Sequence, residues 1–273
     1  KCVAVWLQRR RKDWCALKVR NISSMTETSS CSDSMYNACG HWDGGRIELI
    51  DALRGLSVLL MILHHFAIDL EMFGMLPASW VYSDIVYALH LIFASVFISL
   101  SGVSSRFSRS NVKRGIKVLV CAAIVTLVTW IMDMTIWFGI LHFLGISMII
   151  YGLLSRWLDK LNPVLGVIIY FVSFVILSIF ILDKTFDIKY LSILGLRNRN
   201  FTSADYFPIF PWILMFMFGT CLGRIIREGN MPAWFYKVKV KFLPSVGRKS
   251  LWIYMLHQPV CYGITLLLNE LIN

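Results

Sequence analysis

Arg54 and His65 stand eleven residues apart within an apolar run from Leu49 to Leu70. At ~100° per residue, eleven positions make almost three turns of helix, so both side chains project from one face. Asp51 and Asp69 share that stripe, whereas His64 points roughly 100° away. His65 and Asp69 are an i, i+4 pair, spaced for a carboxylate to hold an imidazole tautomer and stabilise its charged form. That set suits acid–base work by His65 oriented by Asp69; the alternatives are a polar clamp between helices for that pair, and an Asp51–Arg54 ion pair that snorkels at the interface. Ionisable residues in a membrane helix insert unfavourably and usually face a bundle interior or a wet cavity, where they carry function. At a rise of ~1.5 Å per residue, His65 lies about 24 Å above Leu49 and Arg54 roughly 16 Å below His65. A cation therefore sits near one membrane face and a base nearer the other.

Four further polar residues are candidates for a cavity wall: His142, His257, Tyr254 and Asp205. His142 is flanked by Gly139 and Gly145, which permit close helix approach, so a structural hydrogen bond competes with a cavity role. His257 and Tyr254 precede Pro259, which denies Met255 its helical partner and is expected to kink the helix beside them. Asp205 opens Asp205-Tyr206-Phe207-Pro208-Ile209-Phe210-Pro211-Trp212, an acidic, aromatic, proline-broken approach to an apolar run. His90 falls near the outer end of the second apolar run. His64 and His65 are adjacent and diverge on a helix, so they form no local ligand set and no metal is expected.

These residues need a membrane scaffold. The 273 residues are 57% hydrophobic and 16% charged, with mean hydropathy +0.65, against about half and a quarter in soluble domains. Seven apolar windows, approximately 49–70, 85–105, 117–133, 136–155, 164–182, 207–226 and 249–269, are each near the ~20 residues that cross hydrocarbon. Backbone polar groups must be satisfied inside the bilayer, so the predicted fold is all-α, a polytopic bundle of about seven transmembrane helices. Its partners include the lipid bilayer.

The formal charge of +11 could suggest nucleic acid, but its distribution excludes that reading. Arg106, Arg109, Lys113, Arg114 and Lys117 follow the second span; Arg156 and Lys160 follow the fourth. Arg224, Arg227, Lys237, Lys239, Lys241, Arg248 and Lys249 separate the sixth from the seventh. The alternate connections are acidic or mixed, from Asp69, Glu71 and Asp84 to Asp133 and then Asp183–Asp205. The bias of Lys and Arg toward the cytoplasm then predicts a cytoplasmic N-terminus and an external C-terminus. Anionic headgroups are the expected contact for the basic excess.

Residues 1–45 are polar and Ser-rich, without the apolar core of a signal peptide. They are expected to be disordered or an artefactual extension, with Met25 or Met35 as the initiator, ahead of one domain over 46–273. Cys2, Cys15, Cys31 and Cys39 lack zinc-site spacing, and Cys121, Cys221 and Cys261 read as small apolar residues. The 183–207 connection is long enough for a partial lid. Met231–Lys241 alternates aromatic and basic residues, as an interfacial helix does.

Arg46-Ile-Glu-Leu-Ile-Asp51-Ala-Leu-Arg54-Gly55, then Met61 and His65-Phe-Ala-Ile-Asp69, resembles the catalytic-domain family of heparan-α-glucosaminide N-acetyltransferase, with its bacterial relatives. The likeness continues through Phe138–His142 and Asp205–Trp212, and so covers most of residues 46–226. The Arg54-to-His65 interval also looks like the signature of the wider transmembrane acyltransferase superfamily, and Gly247–Pro259 like its last helix. The resemblance implies an acetyltransferase that takes acetyl-CoA from the cytoplasm and acetylates a sugar amine or hydroxyl beyond the membrane. It implies His65 as catalytic base or transient acetyl carrier, Asp69 as its orienter, Arg54 holding the CoA end and Asp51 positioning Arg54. The chain has fewer spans than the lysosomal enzyme and lacks its large luminal segment. A cell-envelope glycan in a bacterial cytoplasmic membrane is therefore the expected acceptor, with homo-oligomerisation left open.

Two rivals stand beside this reading. A proton-coupled transporter or flippase would relay protons through His65, Asp69 and His257, and inverted repeats would mark it; the hydropathy shows no clear internal symmetry. A non-catalytic subunit would have no use for a buried polar stripe.

Overall fold

The computed structural model describes residues 45–131, 135–182, 184–186, 191–201, 203 and 205–272. The segment 1–44, with Cys2, Cys15, Cys31 and Cys39, lies outside the described residues, as do Asp133, Asp183, Asp187 and Lys189. The fold is all-helical: α1 (Glu48–Met72), α2 (Ala78–Val81), α3 (Asp84–Ser105), α4 (Asn111–Ile131), α5 (Ile140–Leu158), α6 (Pro163–Ile181), α7 (Ile209–Arg227), α8 (Ala233–Lys237), α9 (Leu243–Arg248) and α10 (Ser250–Ile272). Seven of these, α1, α3, α4, α5, α6, α7 and α10, are long and apolar enough to cross a membrane.

The predicted spans and the helices coincide in number and differ at their ends. α4 begins at Asn111 rather than near 117, taking Lys113, Arg114 and Lys117 into its first turns. Helical hydrogen bonding continues past the point where hydropathy falls, because the backbone does not need apolar side chains. α5 starts at Ile140 rather than near 136, because Phe138 pairs with Tyr206 in an isolated parallel bridge. Within α7, Phe210 adopts φ −99° and ψ 135°. It precedes Pro211, whose ring disfavours the helical region for the residue before it. α10 runs as a single helix through Pro259.

Small residues set the packing. A Cβ on Gly247 would fall on the Asp51 carbonyl, and one on Gly55 on the Leu243 carbonyl, so α9 lies backbone to backbone against the start of α1. The Gly219-x-x-x-Gly223 face of α7 presses on Ser99 and Val103 of α3 in the same way. Gly115 and Gly145 bring α4 against α5. On α6 only Gly166 is buried, and its exposed Val, Leu, Ile and Phe side chains form a lipid-facing surface.

One polar clamp ties four segments where α3, α5 and α7 end and α6 begins. Arg106 forks onto Asp159 through hydrogen bonds of 2.8 and 2.6 Å and donates to the Thr220 carbonyl at 2.9 Å. Arg224 donates to the Asp159 carbonyl at 2.9 Å. The Arg106 guanidinium also lies 5.2 Å from the centre of the Tyr151 ring.

Candidate functional site

The predicted stripe on α1 divides into two sites. Asp51, buried in the first turn, accepts hydrogen bonds from Arg46 at 2.6 Å and from Arg54 at 3.1 Å. Arg54 also donates to the Ser104 hydroxyl on α3. Its side chain is 15% exposed against 63% for Arg46, so Arg54 is enclosed while Arg46 pairs with Asp51 from the solvent-facing side. These groups line a recess of about 480 Å³ whose walls include Gly45, Ile50, Ser104, Phe107 and Arg114. Three guanidiniums face one carboxylate there, leaving a cationic recess within the size range of small-ligand sites.

About one turn above Arg54, Ser57 begins the lining of a second cavity. Its free space is about 20 Å³, room for about one water. His64 and His65 of α1, His90, Phe93 and Phe97 of α3, Ile140, Asp205, Phe207 and Tyr254 complete its wall. Val58, 1% exposed, belongs to the same wall, and Ile98, 0% exposed, lies on α3 between Phe97 of this cavity and Ser104 of the recess.

His65 Nδ1 lies 3.0 Å from the Met61 carbonyl, one turn back on its own helix. A carbonyl only accepts, so Nδ1 carries the hydrogen and Nε2 is left as the basic nitrogen. His257 repeats the device, with Nδ1 against the Tyr254 carbonyl and a buried Nε2 that meets no partner among the described residues. The His65 and His257 rings meet edge to face, 5.1 Å between centres. Two imidazoles from opposite ends of the sequence are thus preset in one tautomer and placed side by side.

Asp69 departs from its expected role. Rather than hydrogen-bonding His65, its carboxylate accepts at 2.9 Å from the Gln258 amide of α10. It is 1% exposed, and Oδ2 has no partner among the described residues. Helical side chains lean toward the N-terminus, so His65 reaches back to Met61, while α10 supplies Asp69's partner from the side.

Asp205 is a hub. Its Oδ2 accepts from the Tyr254 hydroxyl at 3.1 Å and from the Ile140 amide at 3.1 Å, one of the amides that the start of α5 leaves unpaired. Its neighbour Tyr206 donates to the Ser192 carbonyl, and burial pushes its phenol up to about 12. His142 does not line the cavity: its Nε2 is 3.3 Å from the Thr126 hydroxyl and its ring stacks on Phe138 at 5.9 Å.

Of the eight candidate residues, His65, Tyr254 and Asp205 line the inner cavity, with His257 against the His65 ring. Asp51 and Arg54 line the recess. Sequence reasoning passed over His64, His90, Arg114 and Gln258. The rings of His64 and His90 lie 4.6 Å apart across the α1–α3 contact. Only the apolar run holding His90 was legible, because which helix would face it depends on packing. Among the described residues no group of three or more His, Cys, Asp or Glu side chains is arranged to hold a metal ion.

No curated protein and no solved structure matches the chain. One family does: heparan-alpha-glucosaminide N-acetyltransferase, catalytic, over residues 46–259. That stretch takes in α1 to Pro259 of α10, and so every lining residue of both chambers except Gly45. The chain, a multi-pass helical membrane protein, belongs to the heparan-α-glucosaminide N-acetyltransferase catalytic-domain family, a family of membrane acetyltransferases.

Proposed function

We propose that this protein transfers an acetyl group from acetyl-CoA to an amine or hydroxyl of a sugar on the opposite side of the membrane. The observation that carries the reading is the pair of chambers on one helix face, a cationic recess ending at Arg54 and an imidazole-lined cavity beginning at Ser57. A phosphate-rich donor suits the first, since guanidinium forks match phosphate oxygens. A nucleophile that must lose a proton suits the second.

In this scheme Arg54, steadied by Asp51, holds the CoA end. His65 Nε2 acts as general base or transient acetyl carrier. His257 and Asp69 flank it, and Tyr254 and Asp205 shape the wall on the far side. The basic connections favour a cytoplasmic recess, with the N-terminus on that side. The proposed setting is a bacterial cytoplasmic membrane, the proposed acceptor a cell-envelope glycan, and the working domain 46–273.

Calorimetric titration of detergent-purified protein with acetyl-CoA tests the reading. Saturable binding is expected, weakened by about tenfold or more in Arg54→Ala, since a hydrogen bond to a charged group contributes about 1.5–3 kcal/mol. No binding by folded wild-type protein sinks the reading and turns attention to a proton-coupled transporter.

A further inference from the structure

His90 has no place in the scheme above, yet it faces the same cavity as His65 from a different helix. Three imidazoles, His64, His65 and His90, line that space. His65 uses Nδ1 on the Met61 carbonyl. Asp205 Oδ2 already receives both Tyr254 and the Ile140 amide. Neither His64 nor His90 makes a hydrogen bond among the described residues, and their rings lie 35° from parallel at 4.6 Å between centres. That arrangement is closer to stacking than to an N–H···N bond, so the ring nitrogens stay available to a ligand. His90 also packs on Phe207, 6.2 Å between ring centres. His65 and His90 both border the cavity, whose free space of about 20 Å³ admits a group the size of a water, such as an acceptor hydroxyl or amine, with one imidazole from α1 and one from α3.

Resting on the acetyl-transfer reading, we propose that His90 is a further catalytic residue, the base that takes the proton of the acceptor, leaving His65 to act on the acetyl group. The acceptor's amine or hydroxyl lone pair attacks the acetyl carbonyl carbon, whether on the thioester or on His65 Nε2. The new C–N or C–O bond forms as the C–S or C–N(imidazole) bond breaks, its electron pair leaving with sulfur or with the imidazole. The acceptor's proton passes to an unprotonated ring nitrogen of His90 and on through solvent to the CoA thiolate. That thiolate leaves either in this step or in an earlier one, in which His65 Nε2 attacks the thioester carbon and the C–S bond breaks. In that second route the imidazole keeps its Nδ1 hydrogen and leaves neutral. The sum is acceptor–H plus acetyl-CoA giving acetylated acceptor plus CoA thiol, with no oxidant or metal required. The stacked His64 then holds His90 in place.

The test uses the full chain in detergent with acetyl-CoA and glucosamine, following release of CoA thiol, and compares wild type, His90→Ala and His90→Gln. Calorimetry gives acetyl-CoA affinity and thermal unfolding reports folding. The expected result is a fall in kcat of about 100-fold or more in both variants, as loss of a positioned base produces. Acetyl-CoA affinity should stay unchanged, and added imidazole should restore His90→Ala by roughly tenfold, as an external base does. Turnover near wild type in either folded variant overturns the proposal. So does a loss that imidazole does not relieve and that comes with weakened acetyl-CoA binding, which marks a structural histidine. A wild-type protein that binds acetyl-CoA but releases no thiol with glucosamine defeats the acetyl-transfer reading with this acceptor, and His90 falls with it.

Discussion

Gln258 donates a 2.9 Å hydrogen bond to Asp69, joining the last helix to the first across 189 residues of sequence. The carboxylate is almost fully buried, and this amide is the partner it has among the described residues. A buried acceptor left unpaired costs about 1–3 kcal/mol, so Gln258→Ala should destabilise by that amount. Asp69→Asn should relieve part of the loss when added to Gln258→Ala, because an amide replaces an unpaired carboxylate. Thermal unfolding of the two single variants and the double variant measures the coupling, and strict additivity would remove the contact from the account.

Gly247→Ala should be among the most damaging single substitutions in the chain. Its new methyl would overlap the Asp51 carbonyl, which is backbone and cannot rotate away. Overpacking typically costs about 1–3 kcal/mol, and separating α9 from α1 would also disturb the Asp51–Arg54 pair. By contrast, a Cβ on Gly263 meets nothing, so Gly263→Ala should be nearly neutral. Equal effects of the two substitutions on unfolding temperature would contradict this packing.

Tyr206 sets a pH dependence at the alkaline end. Burial raises its phenol from 10.0 to about 12, so between those values the folded protein keeps a proton that the unfolded chain has lost. Stability from this group is therefore full below about pH 10 and declines as pH rises toward 12. Tyr206→Phe should flatten that decline, read as unfolding temperature against pH. An unchanged slope would show that Tyr206 is not the group responsible.

His65→Ala is expected to lower kcat by about 10²–10⁴-fold while leaving acetyl-CoA affinity and helix content intact. Met61 offers a backbone carbonyl, so no substitution at that position should abolish the His65 tautomer. Met61→Leu should thus keep turnover within roughly threefold of wild type, a volume-conserving swap being mild. Thiol-release kinetics on both variants check the pair of outcomes.

Much of the bundle was readable in the chain because a bilayer imposes length and hydropathy on each helix separately. The seven apolar runs and the stripe carrying Asp51, Arg54, His65 and Asp69 follow from residue order and the 3.6-residue period, whereas the family was legible only as a resemblance of motifs. The Asp51–Arg54 contact is local, one helical turn, and so was foreseeable. The helix ends were less so: α4 starts early and α5 late, because backbone bonding and the Phe138–Tyr206 bridge, not hydropathy, decide where turns stop.

What the period cannot express is the neighbour. It tells which face of α1 holds Asp69, but only packing brings Gln258 to that face in place of His65. It places His90 in an apolar run, but only the α1–α3 approach stacks it on His64 and opens it to the cavity. The same holds for Ser104 on Arg54, Asp205 on Tyr254 and His257 on His65. Each contact joins residues distant in the chain, from 26 positions for His64–His90 to 192 for His65–His257, selected by close approach at glycines and by the need to satisfy buried polar groups. By itself, the sequence determined the helices and the polar stripe; the tertiary structure decided which groups meet, because burial and hydrogen bonding are properties of the assembled bundle.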